Sequence, residues 1–275
     1  MIRKAVIPAA GRGTRLLPAT KSIPKELLPI AGKPMIHLCI EEAVAAGIEE
    51  VCIILNPRKT LVKDYFSDWS TTSDREPNAL RDIRQLLRRC RLKFAWQPRP
   101  RGLADAIDRA RVFVGTEPFA LMLPDNLVFS SLPVITQLEE TLYRYGEDTI
   151  AVVRVPPPRV PLFSLSGKID YERLDERAVR IKRFHRKKRG YYEPVGNGPL
   201  VRTVARALLL PHFFDYVDTV RKRIKGELDD GPVLREIIRT RGLVGRIIRG
   251  TVFDVGNPRG YTAANAWRGN RVRWE

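Results

Sequence analysis

Cysteine and histidine are scarce in this 275-residue chain, with three of each. Cys39, Cys52 and Cys90 are widely spaced and odd in number. That excludes a disulfide framework and leads us to expect buried free thiols in a reducing, cytoplasmic setting. His37, His185 and His212 stand alone, so no zinc-type ligand spacing exists. No apolar run approaches the roughly 20 residues of a membrane span. The first apolar run, Ala5 to Ala10, leads into a folded-looking motif, so no secretory leader is expected. Acid is the charge in short supply. Lys and Arg number 49 against 31 Asp and Glu, a net charge of +18. Such a field attracts polyanions. Arginine spread over a solvated surface is the plainer reading, and nucleic-acid binding the weaker one. One concentration is local: seven basic residues fall within 180–189, either an exposed loop or a substrate clamp.

The most informative stretch present is Ala5-Val-Ile-Pro-Ala-Ala10-Gly-Arg-Gly-Thr-Arg15, followed by Pro24-Lys25-Glu26. An apolar strand empties into a turn where Gly11 and Gly13 let the backbone bend and direct N–H groups inward, making an anion-binding concavity. Arg15 can grip phosphate oxygens as a planar fork, and Lys25 can supply a point charge. A triphosphate suits such a loop. Two better-known phosphate loops are excluded. No Gly-Lys-Ser/Thr follows Gly11 at Walker spacing, and Leu16 stands where the dinucleotide fingerprint needs its third glycine.

Along the chain, apolar runs alternate with helix-period segments, the pattern of a parallel sheet wrapped by helices. Strands are expected at 5–10, 51–55, 92–96, 119–123 and 149–155. Helices are expected at 34–46, 59–66, 78–89, 103–111 and 131–145, with a polar loop at 67–78. The helix at 78–89 is basic and amphipathic, and a solvated outer position suits it better than a nucleic-acid role. Pro156-Pro157-Pro158 marks a boundary. Beyond it, strands and polar turns are expected over 164–209, helices at 211–224 and 231–241, strands within 244–255 and a last helix at 258–268.

Residues 9–29 closely resemble the bacterial UTP–glucose-1-phosphate uridylyltransferases, part of the wider group of sugar-1-phosphate nucleotidyltransferases. The resemblance continues at Gly32-Lys-Pro-Met-Ile36, Ala45-Ala-Gly-Ile48, Gln97-Pro98 with Gly102-Leu-Ala104, Leu123-Pro-Asp-Asn126, and Phe253-Asp-Val-Gly-Asn-Pro-Arg-Gly-Tyr261. It implies a Rossmann-like α/β fold, a mostly parallel mixed sheet flanked by helices, with a small β-rich sugar-binding portion. It further implies one nucleotidyltransferase domain over 1–275, with a nucleotide-binding half (1–155) and a sugar-binding half (156–275) that completes a metal site.

The implied reaction is attack by a sugar-1-phosphate oxygen on the α-phosphorus of UTP, releasing pyrophosphate and forming UDP-glucose. Alternatives are dTTP, another sugar phosphate, or a nucleotide-binding protein without turnover. Positioning and charge neutralisation dominate such chemistry, with no need for a nucleophilic side chain. Arg15, Lys25 and Asp125 are the implied catalytic residues. Asp125, at the carboxyl end of a predicted strand, and Asp254 would share one Mg2+. Ala10, Gly11, Gly13, Thr14, Gln97 and Gly102 would bind the nucleotide. Gln97 offers an amide to the base edge, and Gly102 would let the backbone approach the base closely. Asn257 and Tyr261 would shape the turn after Asp254. On the sugar side the pattern departs. The relatives' Glu-Lys-Pro is replaced within 181–188, leaving Arg186 and Gly167 as candidate sugar-phosphate residues. The partners are therefore the two substrates, with a homo-oligomer possible.

Overall fold

In the computed structural model, residues 1–67, 78–186, 188–194 and 196–271 are described; most of the loop expected at 67–78 lies outside them. In chain order the first half comprises β1 (Lys4–Pro8), a small hairpin of β2 (Pro29–Ile30) and β3 (Lys33–Pro34), α1 (Met35–Ala45), β4 (Glu50–Leu55), α2 (Thr60–Tyr65), α3 (Asn78–Arg89), β5 (Arg91–Trp96), α4 (Leu103–Asp108), α5 (Arg111–Val114), β6 (Phe119–Met122), β7 (Asn126–Phe129), α6 (Val134–Tyr145) and β8 (Thr149–Val155). The second comprises β9 (Ile169–Arg173), β10 (Ala178–Phe184), β11 (Leu200–Leu209), α7 (Phe213–Arg221), α8 (Asp230–Thr240), β12 (Val244–Ile247), β13 (Thr251–Asp254) and α9 (Pro258–Gly269).

Nine strands form one sheet in the order β5-β4-β1-β6-β11-β8-β12-β10-β9. β11 and β10 run against the other seven, so the sheet is mixed but mostly parallel. The apolar runs behave as strands buried on both faces. In β1, Ala5 and Ile7 enter one core with Ile36, Ile40 and Leu138, while Val6 points the other way to join Ile107, Phe119 and Phe213. A third, smaller core under α9 joins Met35, Leu28, Phe253 and Val255.

The proline run leads into a 3-10 turn, Pro157–Leu162, and the sheet continues across it. β11, from the second half, pairs with β6 on one edge and β8 on the other. The segment expected to be one helix at 103–111 is two, α4 and α5. Between them the amides of Arg109 and Ala110 bond to the carbonyls three residues back, Ala106 and Ile107, which tightens the turn. The strand run at 244–255 is likewise divided, because Gly250 (φ 139°) turns the chain between β12 and β13. β7 was not expected. It pairs antiparallel with β13, with Asn126 opposite Asp254, and that pairing brings two distant acidic motifs together.

Candidate active site

The site lies at the carboxyl ends of β1 and β6, where open α/β sheets receive ligands. β6 ends just before Asp125, and the β7–β13 register sets Asp254 opposite the next residue. The Gly256 amide donates to the Asp125 carbonyl at 3.2 Å. A Cβ on Gly256 would stand 2.8 Å from Asp125 Oδ2, so the close approach of the two turns requires glycine there.

Five charged groups converge. Lys25 Nζ donates to Asp125 Oδ2 at 2.6 Å, and Arg15 Nη2 lies 3.8 Å from the same oxygen. Arg15 Nη1 donates to Ser164 Oγ at 3.0 Å. Ser164 in turn donates its backbone N–H to Asp254 Oδ2 at 3.1 Å, and its hydroxyl donates to that oxygen too. Arg202 Nη1 is 3.9 Å from Asp254 Oδ2. Burial acts to raise the Asp125 pKa, but Lys25, then Arg15 and the Asn126 amide, outweigh it and hold the carboxyl well below the usual range. Burial likewise works against the Lys25 ammonium; Asp125 and Glu26 overcome it and raise its pKa. Both groups are therefore charged at neutral pH.

Two cavities meet at this pair. One, of about 640 Å³, is lined by Ala10, Arg12, Lys21, Lys25, Arg58 and Lys59 among others, a strongly cationic wall. The second, of about 770 Å³, is lined by Arg15, Asp125, Asp254, Gly167, Arg186 and Arg202 among others. Lys25, in the first wall, touches Asp125, in the second.

The Asp125–Asp254 donor set fits Mg2+. Asp254 Oδ1 is buried without a hydrogen-bond partner, an acceptor that a hard cation would satisfy. Among the described residues no group of three or more His, Cys, Asp or Glu side chains could hold a metal. An ion here would thus draw most of its shell from phosphate oxygens and water, as Mg2+ commonly does.

The remaining sequence candidates fall into place unevenly. Gly13 is left-handed (φ 70°), and its carbonyl accepts from Thr20 Oγ1 at 2.8 Å. Gly11 has no positive φ, so the bend is made at Gly13, and a Cβ on Gly11 would meet open space. Thr14 opens the short 3-10 turn Thr14–Leu16 that presents Arg15. Gln97 is buried, and its Nε2 donates to Gly102 O at 3.0 Å and to Asp105 Oδ2 at 2.9 Å. These bonds occupy the donor that was expected to meet the base. Gly102 (φ 104°) permits a close approach, but to the chain itself: a Cβ would stand 2.3 Å from the Leu228 carbonyl oxygen. Neither Gln97 nor Gly102 lines the two cavities. Gly167 and Arg186 line the second. In the basic run, Arg180 pairs with Glu147, Lys182 with Glu172, and Arg183 with Asp170, while Arg186 and Lys188 border the cavity.

Four residues carry geometry that the sequence did not single out. Lys59, buried, donates to Ala9 O at 2.7 Å and to the wholly buried Glu26 at 2.6 Å, clamping the segment after β1 to the Lys25 turn. Asn56 holds the Ala10 carbonyl at 2.8 Å. Ser164 and Arg202 complete the Asp254 side. Glu26 had a signal, since it sits in the Pro-Lys-Glu motif. Ser164 had none, because its partner is 90 residues away.

Residues 4–182 match the family model described as nucleotidyl transferase. The chain belongs to this family. It is 35% identical over 271 residues to a UTP–glucose-1-phosphate uridylyltransferase of Mycoplasma genitalium, covering 96% of this chain and 90% of that protein. It is 32% identical to one of Bacillus subtilis, covering 94% and 88%. Its fold is similar to that of a UDP-glucose pyrophosphorylase complexed with UDP-glucose (TM-score 0.84, 31% identity, 99% of this chain and 100% of that one). A UTP-bound counterpart from Acinetobacter baumannii gives a TM-score of 0.83 at 25% identity, covering 99% and 95%.

Proposed function

We propose that this nucleotidyltransferase forms UDP-glucose and pyrophosphate from UTP and glucose 1-phosphate. The observation that carries the reading is the contact of Lys25 with Asp125 at the junction of two cavities, each wide enough for one anionic substrate. The triphosphate lies along the cationic wall of Arg12, Lys21, Arg58 and Lys25, and the sugar phosphate enters from the Gly167–Arg186 side. Two anions must meet, so the residues act by positioning them and neutralising their charge. Lys25 Nζ, held by Asp125, faces the α-phosphate and stabilises the charge that gathers there. Arg15, braced by Ser164, reaches the phosphates from the opposite side. Gln97 acts by bracing the 98–102 segment, part of which walls the nucleotide cavity. Asp125 and Asp254 would hold Mg2+, which supplies Lewis-acid polarisation of the α-phosphate oxygens when bound.

Pyrophosphate release measured over a panel of nucleoside triphosphates and sugar 1-phosphates with Mg2+ tests this reading. The highest kcat/KM is expected for UTP with glucose 1-phosphate. A clear preference for dTTP or for another sugar phosphate would replace the substrate assignment, and no release with any pair would remove the transferase reading.

A further inference from the structure

We infer that Arg202 is the cation that seats the phosphate of the sugar substrate in this chain, an assignment that rests on the transferase reading. Arg202 is 3% exposed and lines the second cavity together with Asp254, Asp125 and Arg15. A guanidinium this deeply buried is ordinarily bound on most of its nitrogens. Here Nε and Nη1 have no hydrogen-bond partner, and the charge nearest Nη1, on Asp254, is 3.9 Å away, beyond hydrogen-bond distance. Arg206, four residues along the same strand, shows the contrast. It is buried too, but donates to both Glu42 oxygens and to the Leu123 and Ala205 carbonyls. Arg206 is a structural strut, whereas Arg202 is a cation held ready.

Its position is fixed without using up its donors. The guanidinium carbon lies 4.8 Å from the Phe163 ring centroid, so the plane is supported by a face contact that leaves the N–H edges uncommitted. The approach to Nη2 is kept clear by Gly167, where a Cβ would stand only 3.3 Å away. The basic run cannot do this as well. Lys182 and Arg183 are committed to Glu172 and Asp170, and Arg186 and Lys188 are exposed side chains that must be ordered when they bind. A preorganised planar fork beside the Asp125–Asp254 pair suits a phosphate monoester whose oxygen must point at the α-phosphorus.

Steady-state kinetics of Arg202→Met and Arg202→Lys test the assignment. In Arg202→Met the KM for glucose 1-phosphate should rise at least about tenfold, as expected for losing a charge-assisted hydrogen bond. The KM for UTP should change less than about twofold, and Arg202→Lys should recover part of the loss. If instead the UTP KM and the Mg2+ requirement rise while the glucose 1-phosphate KM stays put, Arg202 serves only to balance Asp254 and the assignment is overturned. Arg202→Lys keeps a buried cation, so it decides the matter even if Arg202→Met fails to fold. Calorimetric titration of glucose 1-phosphate into wild type and Arg202→Lys, with a non-hydrolysable UTP analogue present, separates the two proposals. Weaker binding in the variant without turnover in the wild type would sink the transferase reading and keep this one. Equal binding would sink this one.

Discussion

At the scale of single residues, Lys25 and Asp125 bring opposite charges to 2.6 Å in a site that water barely reaches. The depressed Asp125 pKa means its contribution to stability is present above the ordinary Asp value of about 3.9 and is lost as pH falls through the lower folded value. The raised Lys25 pKa means its share is lost only as pH climbs beyond the ordinary Lys value of about 10.4. The stability difference between wild type and Asp125→Asn, from urea unfolding, should therefore be level from about pH 5 to 9 and shrink on acidification below that plateau. A steady decline across neutral pH would contradict the ionisation states assigned here. The buried Lys59–Glu26 pair gives a second expectation. Lys59→Met strands a wholly buried carboxylate, one of whose oxygens, Oε1, already lacks a partner, and should cost about 3–5 kcal/mol in the same experiment. A loss under about 1 kcal/mol would show that Glu26 is relieved by protonation or by water.

At the scale of elements, the site depends on how α9 meets β13. Asn257 accepts the Gly260 amide with its Oδ1, capping α9, while its Nδ2 donates to the Asp254 carbonyl at 2.7 Å and the Leu162 carbonyl at 3.2 Å. Tyr261, one turn on, donates its hydroxyl to Pro29 O. Asn257 thus holds the turn after Asp254, as expected, whereas Tyr261 reaches away from it and ties α9 to β2. Asn257→Ala removes a helix cap, worth about 1 kcal/mol by itself, and frees the backbone that carries Asp254. A drop in melting temperature together with a weaker apparent Mg2+ affinity is expected. A change in one without the other would separate the cap from the site. Elements with strong local signals were legible in the sequence: β1, β4, α1 and β8 fall within a residue or two of their patterns and α6 within three, since a continuous apolar run or a capped amphipathic period determines them locally. β7 was not legible, because Leu127-Val128-Phe129 is short and becomes a strand only by pairing with β13, more than a hundred residues later.

At the scale of the whole molecule, the same division holds. The glycine-rich basic loop and the two aspartates were readable because each is a contiguous motif, whereas Ser164, Arg202 and the Lys59 clamp exist only as tertiary contacts. The basic residues have two visible uses in the structure. Some face the cavities, and others are paired with carboxylates: Arg111 with Asp108 and Asp218, Arg180 with Glu147, Arg246 with Glu140. Duplex DNA should therefore be bound only through diffuse electrostatics, with affinity falling steeply between about 50 and 200 mM salt. Tight binding that survives at the upper end would point to a dedicated nucleic-acid surface. On the proposed reaction, nucleotidyl transfer takes place at the Lys25–Asp125–Asp254 cluster. Pyrophosphate release from UTP and glucose 1-phosphate by Asp125→Asn, compared with wild type at saturating Mg2+, tests it most directly. A fall in kcat of about a hundredfold or more in a variant that still melts cooperatively, though at a lower temperature, is the expected result; a folded Asp125→Asn protein turning over at the wild-type rate would contradict it.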